Sequence, residues 1–257
     1  MSAPSTSGAS TSGRPITRAV MRSVRLYHGP QAPKAAMDAL YARFVGKGDL
    51  VFDVGAHVGD RVASFRRLGA GVVALEPQPG PMRAIRLICG RDPNVTLLPL
   101  AAGDRAGRIT LHVNSANPTV STASAEFVRA AEGAGGWEGQ VWDRAIEVEM
   151  TTLDALAARY GAPDFVKIDV EGFEDCVLAG LSQAPRALSF EFTTIERAVA
   201  HRALARLAAL GVARFNVALG ETQRLVFDEP VSAAAMGAWI DGLPHAANSG
   251  DVYALAG

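Results

Sequence analysis

The chain has 257 residues, with 25 lysines and arginines against 26 aspartates and glutamates, and a net charge of -1. This length suffices for one large α/β domain, and the balanced charge gives no indication of a nucleic-acid or anionic-membrane partner. No apolar stretch reaches the roughly 18 to 20 residues of a membrane span, and the N-terminus lacks the apolar core of a secretory signal. The two cysteines, Cys89 and Cys176, show neither a disulfide framework nor metal-ligand spacing, which fits a reducing, cytoplasmic environment.

The N-terminal segment differs in composition from the rest of the chain. Residues 1–13 are almost entirely Ser, Thr, Gly, Ala and Pro, which predicts a disordered tail. Residues 14–47 are interpreted as a helical extension, in which 33–45 forms a helix near the mouth of the cofactor site because its apolar residues share one face. The basic, acid-free start also resembles an organelle transit peptide, but the abundance of Ala, Arg and Gly throughout the chain favours a compositional bias. Residues 48–257 are predicted to form the main domain.

Residues 50–76 form the pattern strand, glycine-bearing turn, helix, strand. The first strand ends at Asp53, the second ends at Glu76, and the turn between the first strand and the helix carries Gly55 and Gly59. This pattern predicts a right-handed βαβ unit. Ligands of such sheets bind beyond the carboxyl ends of the strands, where the helix N-terminus offers unpaired N–H groups. We therefore expect the Glu76 carboxylate to accept both hydroxyls of a ribose.

The spacing within this turn favours S-adenosylmethionine over a dinucleotide. A dinucleotide fold uses G-x-G-x-x-G for the pyrophosphate, whereas this turn has Asp-x-Gly-x-x-x-Gly and lacks the second glycine. The carboxylate of Asp53 would repel a pyrophosphate but suits the ammonium of a methionyl group. Two alternatives remain, an NAD-type oxidoreductase and a glycine pair that serves only close packing of the helix on the sheet.

The next elements continue the predicted sheet. Residues 79–90 form a predicted helix, and residues 95–98 form the third strand. Ala101 and Ala102 follow this strand, and their small side chains could let an adenine ring lie against the backbone. Asp104 either lies beside that ring or only turns the chain.

A long segment separates two further predicted strands, residues 108–113 and 146–150, which we expect to pair. Residues 114–145 between them are polar and rich in glycine. A loop of this length in a compact domain is usually functional or mobile. We interpret it as a lid-like insertion over the substrate, lined by Trp137 and Trp142, with a disordered surface insertion as the alternative.

Two carboxylates, Asp169 and Glu171, follow the strand predicted at residues 163–168. In a doubly wound sheet this strand lies beside the first one, so both carboxylates face the reacting end of the cofactor. Either could orient or deprotonate a substrate hydroxyl, or both could hold a divalent ion, for which the sequence gives no further indication. Helix capping is the alternative, and we assign Glu174 that structural role.

Lys167 stands in a strand that should be buried on both faces. We expect a structural ion pair with Glu191 of the following strand, residues 187–192.

The last part of the chain completes the predicted sheet. Residues 195–210 form an amphipathic helix, residues 213–219 form a strand, and residues 223–227 pair with that strand as a hairpin. A short helix covers residues 232–240. Three isolated histidines are expected to be noncatalytic: His112, His201 and His245.

Four stretches resemble the FkbM family of S-adenosylmethionine-dependent methyltransferases. They are DVGAHVGD at 53–60, the Glu-Pro pair at 76–77, VEMTTLDAL at 148–156 and FVKIDVEGFEDCVLAG at 165–180. The similarity covers about residues 49–192 and extends faintly to residues 250–253, and the KIDVEG stretch at 167–172 is fairly specific to the family. It implies a class I methyltransferase fold, an α/β Rossmann-like doubly wound sheet of seven strands that is mostly parallel with an antiparallel last strand.

The resemblance also implies roles for individual residues. It places Asp53, Gly55 and Gly59 around the methionyl group, Glu76 at the ribose and Asp169 beside the sulfonium. The predicted cofactor-binding residues are Asp53, Gly55, Ala56, His57, Gly59, Asp60, Glu76, Pro77, Ala101, Ala102 and Asp169. The predicted catalytic residues are Asp169 and Glu171. Such motifs usually carry Asn where this chain has His57, so His57 is either a local change at the turn or a base that reaches the substrate.

The predicted activity is O-methylation of a small-molecule or sugar-like natural product, with S-adenosylhomocysteine as the second product. The choice of oxygen comes from the resemblance alone. Transfer is an in-line SN2 displacement, and holding donor and acceptor in near-attack geometry can supply on the order of 7 to 11 kcal/mol. The alternatives are an NAD-type oxidoreductase and a noncatalytic protein on a methyltransferase scaffold. A homodimer is compatible with the sequence, which does not specify an oligomeric state.

Overall fold

The structure, a computed structural model, describes residues 16–256, and the predicted disordered tail at 1–13 lies outside the described residues. The described strands are β1 (Leu50–Val54), β2 (Gly71–Leu75), β3 (Val95–Leu98), β4 (Ala101–Ala102), β5 (Gly107–Val113), β6 (Arg144–Thr151), β7 (Phe165–Ile168), β8 (Ala187–Thr193), β9 (Arg214–Leu219) and β10 (Ser249–Leu255). The described helices are α1 (Arg18–His28), α2 (Lys34–Tyr41), α3 (Asp60–Arg67), α4 (Pro79–Cys89), α5 (Ala125–Ala131), α6 (Leu153–Tyr160), α7 (Glu174–Ala179), α8 (Arg197–Ala209) and α9 (Ala233–Asp241). None of the helices in this part of the chain is long and apolar enough to cross a membrane.

Seven strands form the main sheet in the order β3-β2-β1-β7-β8-β10-β9. The strands β3, β2, β1, β7 and β8 pair in parallel, and β10 runs antiparallel to both of its neighbours, β8 and β9. The predicted seven-stranded sheet with an antiparallel last strand is thus confirmed. The chain leaves β1 in one direction to form β2 and returns on its other side as β7. A crevice opens at such a switch point, beyond the carboxyl ends of the strands.

Helices cover both faces of this sheet. The apolar side chains of α2, α3 and α4 pack on one face, and those of α6, α7, α8 and α9 pack on the other. The alternation within β1 shows why both layers form, since Val51 faces the first layer while Phe52 and Val54 face the second. Burial of these apolar surfaces is the main force that holds the two layers on the sheet.

A second, three-stranded sheet has the order β4-β6-β5. The strands β5 and β6 are antiparallel, with Ile109 opposite Val148, which confirms the pairing predicted for residues 108–113 and 146–150. The strands β4 and β6 pair in parallel, with Ala101 opposite Met150 and Ala102 opposite Thr151, and β4 follows directly after the end of β3.

The segment at 114–145 was expected to be a long polar loop, and this expectation is wrong. It contains a 3-10 turn at Pro118–Val120 and the helix α5, and it encloses its own apolar cluster around Phe127 and Trp137. The indole N–H of Trp142 donates to the carbonyl of Val120 at 2.8 Å, so Trp142 fixes the insertion internally. The apolar residues that fold the segment are spaced too widely to show as a periodic pattern.

Helix α2 differs from the prediction in length and position. It ends at Tyr41 instead of residue 45, and the Tyr41 ring is buried against Phe65 and Phe165, with ring centroids 4.7 and 5.9 Å away. This helix therefore belongs to the core beneath β1. The helix at the mouth of the cavity is α1, through Tyr27.

Residues 223–227 do not form the predicted hairpin arm. Among the described residues, the segment reaches the free edge of β9 at one isolated bridge, between Ala218 and Leu225. Gln223 has a left-handed φ of 54°, which interrupts the extended backbone that a strand requires. The other predicted elements of this region agree with α8, β9 and α9 within two residues.

Candidate functional site

A cavity of about 320 Å³ opens at the carboxyl ends of β1, β2, β7 and β8. All predicted cofactor-binding residues except Gly59 line it, and so do both predicted catalytic residues. The predicted residues at the cavity are Asp53, Gly55, Ala56, His57, Asp60, Glu76, Pro77, Ala101, Ala102, Asp169 and Glu171. The fold thus brings together residues that are up to 118 positions apart in the chain, from 53 to 171.

The two glycines of the turn are required by packing. Gly55 has a φ of 87°, and a Cβ there would lie 1.8 Å from the carbonyl oxygen of Asp169. Gly59 has a φ of 84°, and a Cβ there would lie 2.6 Å from a side-chain carbon of Ile85. Gly55 therefore lets the turn after β1 lie directly against the end of β7, while Gly59 seats α3 against α4 and has no part in the cavity.

Glu76 fixes the turn from the tip of β2. Its side chain is buried, with Oε2 accepting the backbone N–H of His57 at 2.9 Å and Oε1 accepting that of Gln78 at 2.7 Å. Burial raises the pKa of Glu76 to about 8, although both hydrogen bonds lower it. Each carboxylate oxygen has a second lone pair, so the group can accept further donors from the cavity.

Asp53 presents an unpaired oxygen to the cavity. The residue is 2% exposed, and within residues 16–256 its Oδ2 atom is buried without a hydrogen-bond partner. Burial raises the pKa of Asp53 to about 7, while nearby Lys167 opposes that rise. A buried oxygen without a partner is costly, and this one is relieved by a ligand that brings a cation or an N–H donor.

His57 lies at the same turn in a left-handed conformation, with a φ of 47°. Its ring contacts the ring of Tyr27 edge to face, with centroids 5.8 Å apart, and Nε2 is buried with no hydrogen-bond partner in the described part of the chain. Burial lowers the pKa of His57, which keeps the imidazole neutral. The side chain therefore borders the cavity as an uncharged group.

The predicted ion pair between Lys167 and Glu191 is wrong. The buried Lys167 ammonium instead donates to Asp169 Oδ2 at 3.1 Å and to Asp251 Oδ1 at 2.8 Å. Asp169 follows two residues later on the same face of the chain, and Asp251 arrives on the antiparallel strand β10. Glu191 was predicted as the partner because β8 follows β7 in the chain. Asp251 lies on β10, which takes its place between β8 and β9 only in the folded sheet.

Three carboxyl groups meet at the far end of the cavity. Single carboxylate oxygens of Asp169, Glu171 and Glu191 lie within 4.8 Å of one another. Burial and the Asp169 charge raise the pKa values of Glu171 and Glu191 well above their usual range. For Asp169 burial is the largest single influence and acts in the same direction, but the charges of Lys167 and Arg61 and the hydrogen bonds from Lys167 and Glu191 together hold the Asp169 pKa below its usual value. The cluster therefore combines one carboxyl group whose pKa is held below its usual value with two whose pKa values are raised.

Glu174 is structural, as predicted. Its carboxylate accepts the backbone N–H groups of Val170 and Gly172 at 3.0 and 3.1 Å, and so closes the turn that leads from β7 into α7. Glu171, within this turn, has a left-handed φ of 57°. The Thr122 hydroxyl donates to the Glu171 carbonyl at 2.6 Å, which ties the insertion to this turn.

Several cavity residues carried no signal in the sequence. Arg61 spans Asp60 and Glu221, with an Nη2–Oε1 distance of 3.0 Å to Glu221. Tyr27 reaches the cavity from the N-terminal extension. Thr193, Asn248 and Ser249 also line it, from the ends of β8 and the start of β10. Of these, Arg61 lies two residues after Gly59, and its position in the first turn of α3 could have indicated it.

The remaining candidates lie away from the cavity. Asp104 pairs with Arg105 at 2.9 Å on the surface, which supports its interpretation as a turn residue. His201 pairs with Asp241 at 2.8 Å, also on the surface. The cysteines Cys89 and Cys176 are free, on α4 and α7.

The strand order, the antiparallel β10 and a cavity at the switch point beside β1 define the fold of class I S-adenosylmethionine-dependent methyltransferases. The family model described as "Methyltransferase FkbM domain" matches residues 53–210. The chain belongs to the FkbM methyltransferase family.

Solved structures with a similar fold include the following three. The precorrin-6y methyltransferase of Geobacter metallireducens is 14% identical with a TM-score of 0.43, covering 88% of this chain and 90% of that one. Fibrillarin of Aeropyrum pernix, with natively bound S-adenosyl-L-methionine, is 12% identical with a TM-score of 0.44, covering 86% and 74%. A TehB-like methyltransferase of Corynebacterium glutamicum is 10% identical with a TM-score of 0.46, covering 92% and 94%. No curated protein matches the sequence.

Proposed function

We propose that this protein transfers the methyl group of S-adenosylmethionine to a hydroxyl of a small, hydroxyl-rich natural product. The observation that carries the proposal is the pair of buried carboxyl groups, Asp53 and Glu76, which face one cavity from the tips of adjacent strands. Residues 48–257 are taken as the methyltransferase domain.

The residues at this end of the cavity fit the chemical groups of S-adenosylmethionine. The unpaired Oδ2 of Asp53 suits the methionyl ammonium, and the free lone pairs of Glu76 suit the two ribose hydroxyls. Ala101 and Ala102 offer a small-residue wall for the adenine. When bound, S-adenosylmethionine supplies a methyl group on a sulfonium that a nucleophile can take in one displacement.

The acceptor end of the cavity favours hydroxyl groups over anions. The Asp169 carboxylate would repel a phosphate or carboxylate, whereas Asp169, Glu171 and Glu191 can each accept or exchange a hydrogen bond with a hydroxyl. The Trp137 indole also lines the cavity, and its Nε1 has no partner among residues 16–256, so it can donate to an acceptor oxygen. These groups support a sugar-like, uncharged acceptor.

Asp169 is the residue assigned to the reacting hydroxyl. It is the member of the acidic cluster that stays ionised, and its side chain is 32% exposed, toward the cavity. An ionised carboxylate can accept the hydroxyl proton and orient the oxygen. Glu171 is proposed to hold a neighbouring hydroxyl as a neutral acid.

The insertion at 114–145 is proposed to close over the acceptor. Ser121 donates to the Gln78 side chain at 3.0 Å, and Gln78 donates in turn to the Pro118 carbonyl at 3.0 Å. These contacts hold the insertion against the start of α4, beside the cofactor end of the cavity. Lid and cofactor site would thus be mechanically linked.

Calorimetric titration with S-adenosylhomocysteine tests the proposal. We expect binding by the wild type and a loss of roughly 10- to 100-fold in affinity for Glu76→Ala, because burial keeps this carboxyl group largely neutral and two hydrogen bonds to a neutral group contribute about 0.5 to 1.5 kcal/mol each. Asp104→Ala is the matched control, since this carboxylate is exposed and outside the cavity, and it should bind like the wild type. Absence of wild-type binding, or a preference for NAD, would contradict the proposal.

A further inference from the structure

We propose that Lys167, anchored by Asp251, is the positioning residue that holds the carboxylate of Asp169 ionised and aimed at the cavity. The inference rests on the proposed function, in which Asp169 acts on the acceptor hydroxyl. Lys167 itself is a residue that acts through Asp169.

The position of Lys167 in the sheet is the first observation. It lies on β7, between Asp53 of β1 and Ser189 of β8 in the strand register. Its side chain is 1% exposed and extends past β8 to reach Asp251 on β10. Lys167 therefore borders the cavity from the sheet, in register with Asp53 and Ser189 on the two neighbouring strands.

The second observation is the geometry of its two ion pairs. Nζ lies 3.1 Å from Asp169 Oδ2 and 2.8 Å from Asp251 Oδ1. The Asp251 side chain is 12% exposed, whereas that of Asp169 is 32% exposed and borders the cavity. A buried ammonium without partners costs several kcal/mol. The pair with Asp251 thus holds the lysine in place, and the pair with Asp169 acts on the cavity.

The third observation is the distribution of charge around Asp169. The acidic neighbours are Asp53, Glu171, Glu174, Glu191 and Asp251, and the uncharged titratable neighbours are Tyr27 and His57. The cationic neighbours within residues 16–256 are Lys167 and Arg61. Arg61 forms its ion pairs with Asp60 and Glu221. Lys167 is therefore the cation in direct contact with Asp169.

This arrangement decides which carboxyl group of the cluster is ionised. Like charges at close range cannot all persist in a buried site. The ammonium stabilises the negative charge of Asp169, and its neighbours Glu171 and Glu191 stay neutral. Without the ammonium, Asp169 would lose the cation in direct contact with it, and its pKa would rise, so its carboxylate would persist over a narrower pH range.

Carbon-13 NMR of protein labelled at the aspartate carboxyl carbons tests the inference directly. The Asp169 signal is identified by its loss in Asp169→Asn. We expect this signal to stay that of a carboxylate across the neutral range in the wild type. In Lys167→Gln its pKa should rise by about 1 to 3 units, the usual effect of losing an adjacent opposite charge, and Lys167→Arg should restore the wild-type titration.

A second variant shows whether any change in Lys167→Gln is caused by misfolding. Lys167→Gln leaves Asp251 buried without its cation, whereas Lys167→Gln combined with Asp251→Asn removes both charges and should fold. Asp169 should show the same raised pKa in the double variant. A merely structural lysine would lower the melting temperature of these variants and leave the Asp169 titration unchanged, and that result would overturn the inference.

The experiment separates this inference from the proposed function. Wild-type binding of S-adenosylhomocysteine, measured by calorimetry, tests the function and does not depend on Lys167. The Asp169 titration is read in the ligand-free protein and decides the role of Lys167 whether or not the ligand binds.

Discussion

The two ends of the cavity are built in different ways. The end bordered by Asp53 and Glu76 comes from one continuous βαβ segment, and Glu76 accepts two backbone N–H groups near its own position in the chain. The opposite end is assembled from the insertion at 114–145, the end of β7, β8 and the start of β10. There, Glu191 and Trp137 carry buried polar atoms without partners in the described part of the chain.

The end at Asp53 and Glu76 is built from one short segment of the chain, whereas the opposite end is built from several distant segments. A site within one βαβ unit keeps its geometry as long as that unit is intact. A site made of several segments can change with an insertion while the sheet persists. This contrast supports cofactor binding at the first end and acceptor choice at the second.

The largest loss of stability is expected for substitution of Gly55, which lies where the two ends of the cavity join. A Cβ in Gly55→Ala would meet the Asp169 carbonyl at 1.8 Å in a left-handed backbone, so we expect a loss of roughly 3 kcal/mol or more in the free energy of unfolding. Gly139→Ala is the matched control, with a φ of 76° and open space around its Cβ, and should cost about 1 kcal/mol. Urea unfolding measures both, and equal losses would show that the two ends do not depend on this contact.

The second prediction concerns Asp53 and pH. Because its pKa is raised to about 7, the side chain is protonated below that pH and cannot pair with an ammonium. The affinity for S-adenosylhomocysteine should therefore increase with pH up to about 7, by at most about tenfold per pH unit for one released proton.

Calorimetry in buffers of different ionisation enthalpy counts the released proton. Asp53→Asn should bind about 10 to 100 times more weakly, as expected for a hydrogen bond to a charged group, and its affinity should lose this part of the pH dependence. An unchanged pH profile in Asp53→Asn would exclude contact between this carboxyl and the ligand.

The smallest losses of stability are expected when either of two tryptophans of the insertion is replaced by phenylalanine. Trp137 Nε1 has no partner among residues 16–256, whereas Trp142 Nε1 donates to Val120. Trp142→Phe should lose about 1 kcal/mol of unfolding free energy, and Trp137→Phe should lose less, because no hydrogen bond is removed. Thermal unfolding compares them, and a larger loss for Trp137→Phe would mean that its N–H group serves the fold instead of a ligand.

The sequence predicted the local structure around Asp53 and Glu76 far better than the structure at the opposite end of the cavity. Strands, turns and the acids at strand tips are encoded by local patterns, so Asp53, Glu76 and the order of elements around them followed directly. The partner of Lys167 did not, because Asp251 is 84 positions away and arrives on an antiparallel strand whose place in the sheet has no local signature.

The insertion at 114–145 and α1 also have features that regular spacing in the sequence does not predict. The apolar cluster around Phe127 is formed by residues without regular spacing. Tyr27 reaches the cavity only because α1 packs beside α4. Gly59 fitted a cofactor motif in the sequence, yet its constraint is the contact with Ile85.

A crystal structure of the complex with S-adenosylhomocysteine tests the central claim most directly. We predict that the amino nitrogen of the ligand lies within about 3.2 Å of Asp53 Oδ2 and that both ribose hydroxyls lie at the same distance from the Glu76 carboxylate. A ligand bound elsewhere, or one whose ribose does not contact Glu76, would contradict the assignment of the cofactor end.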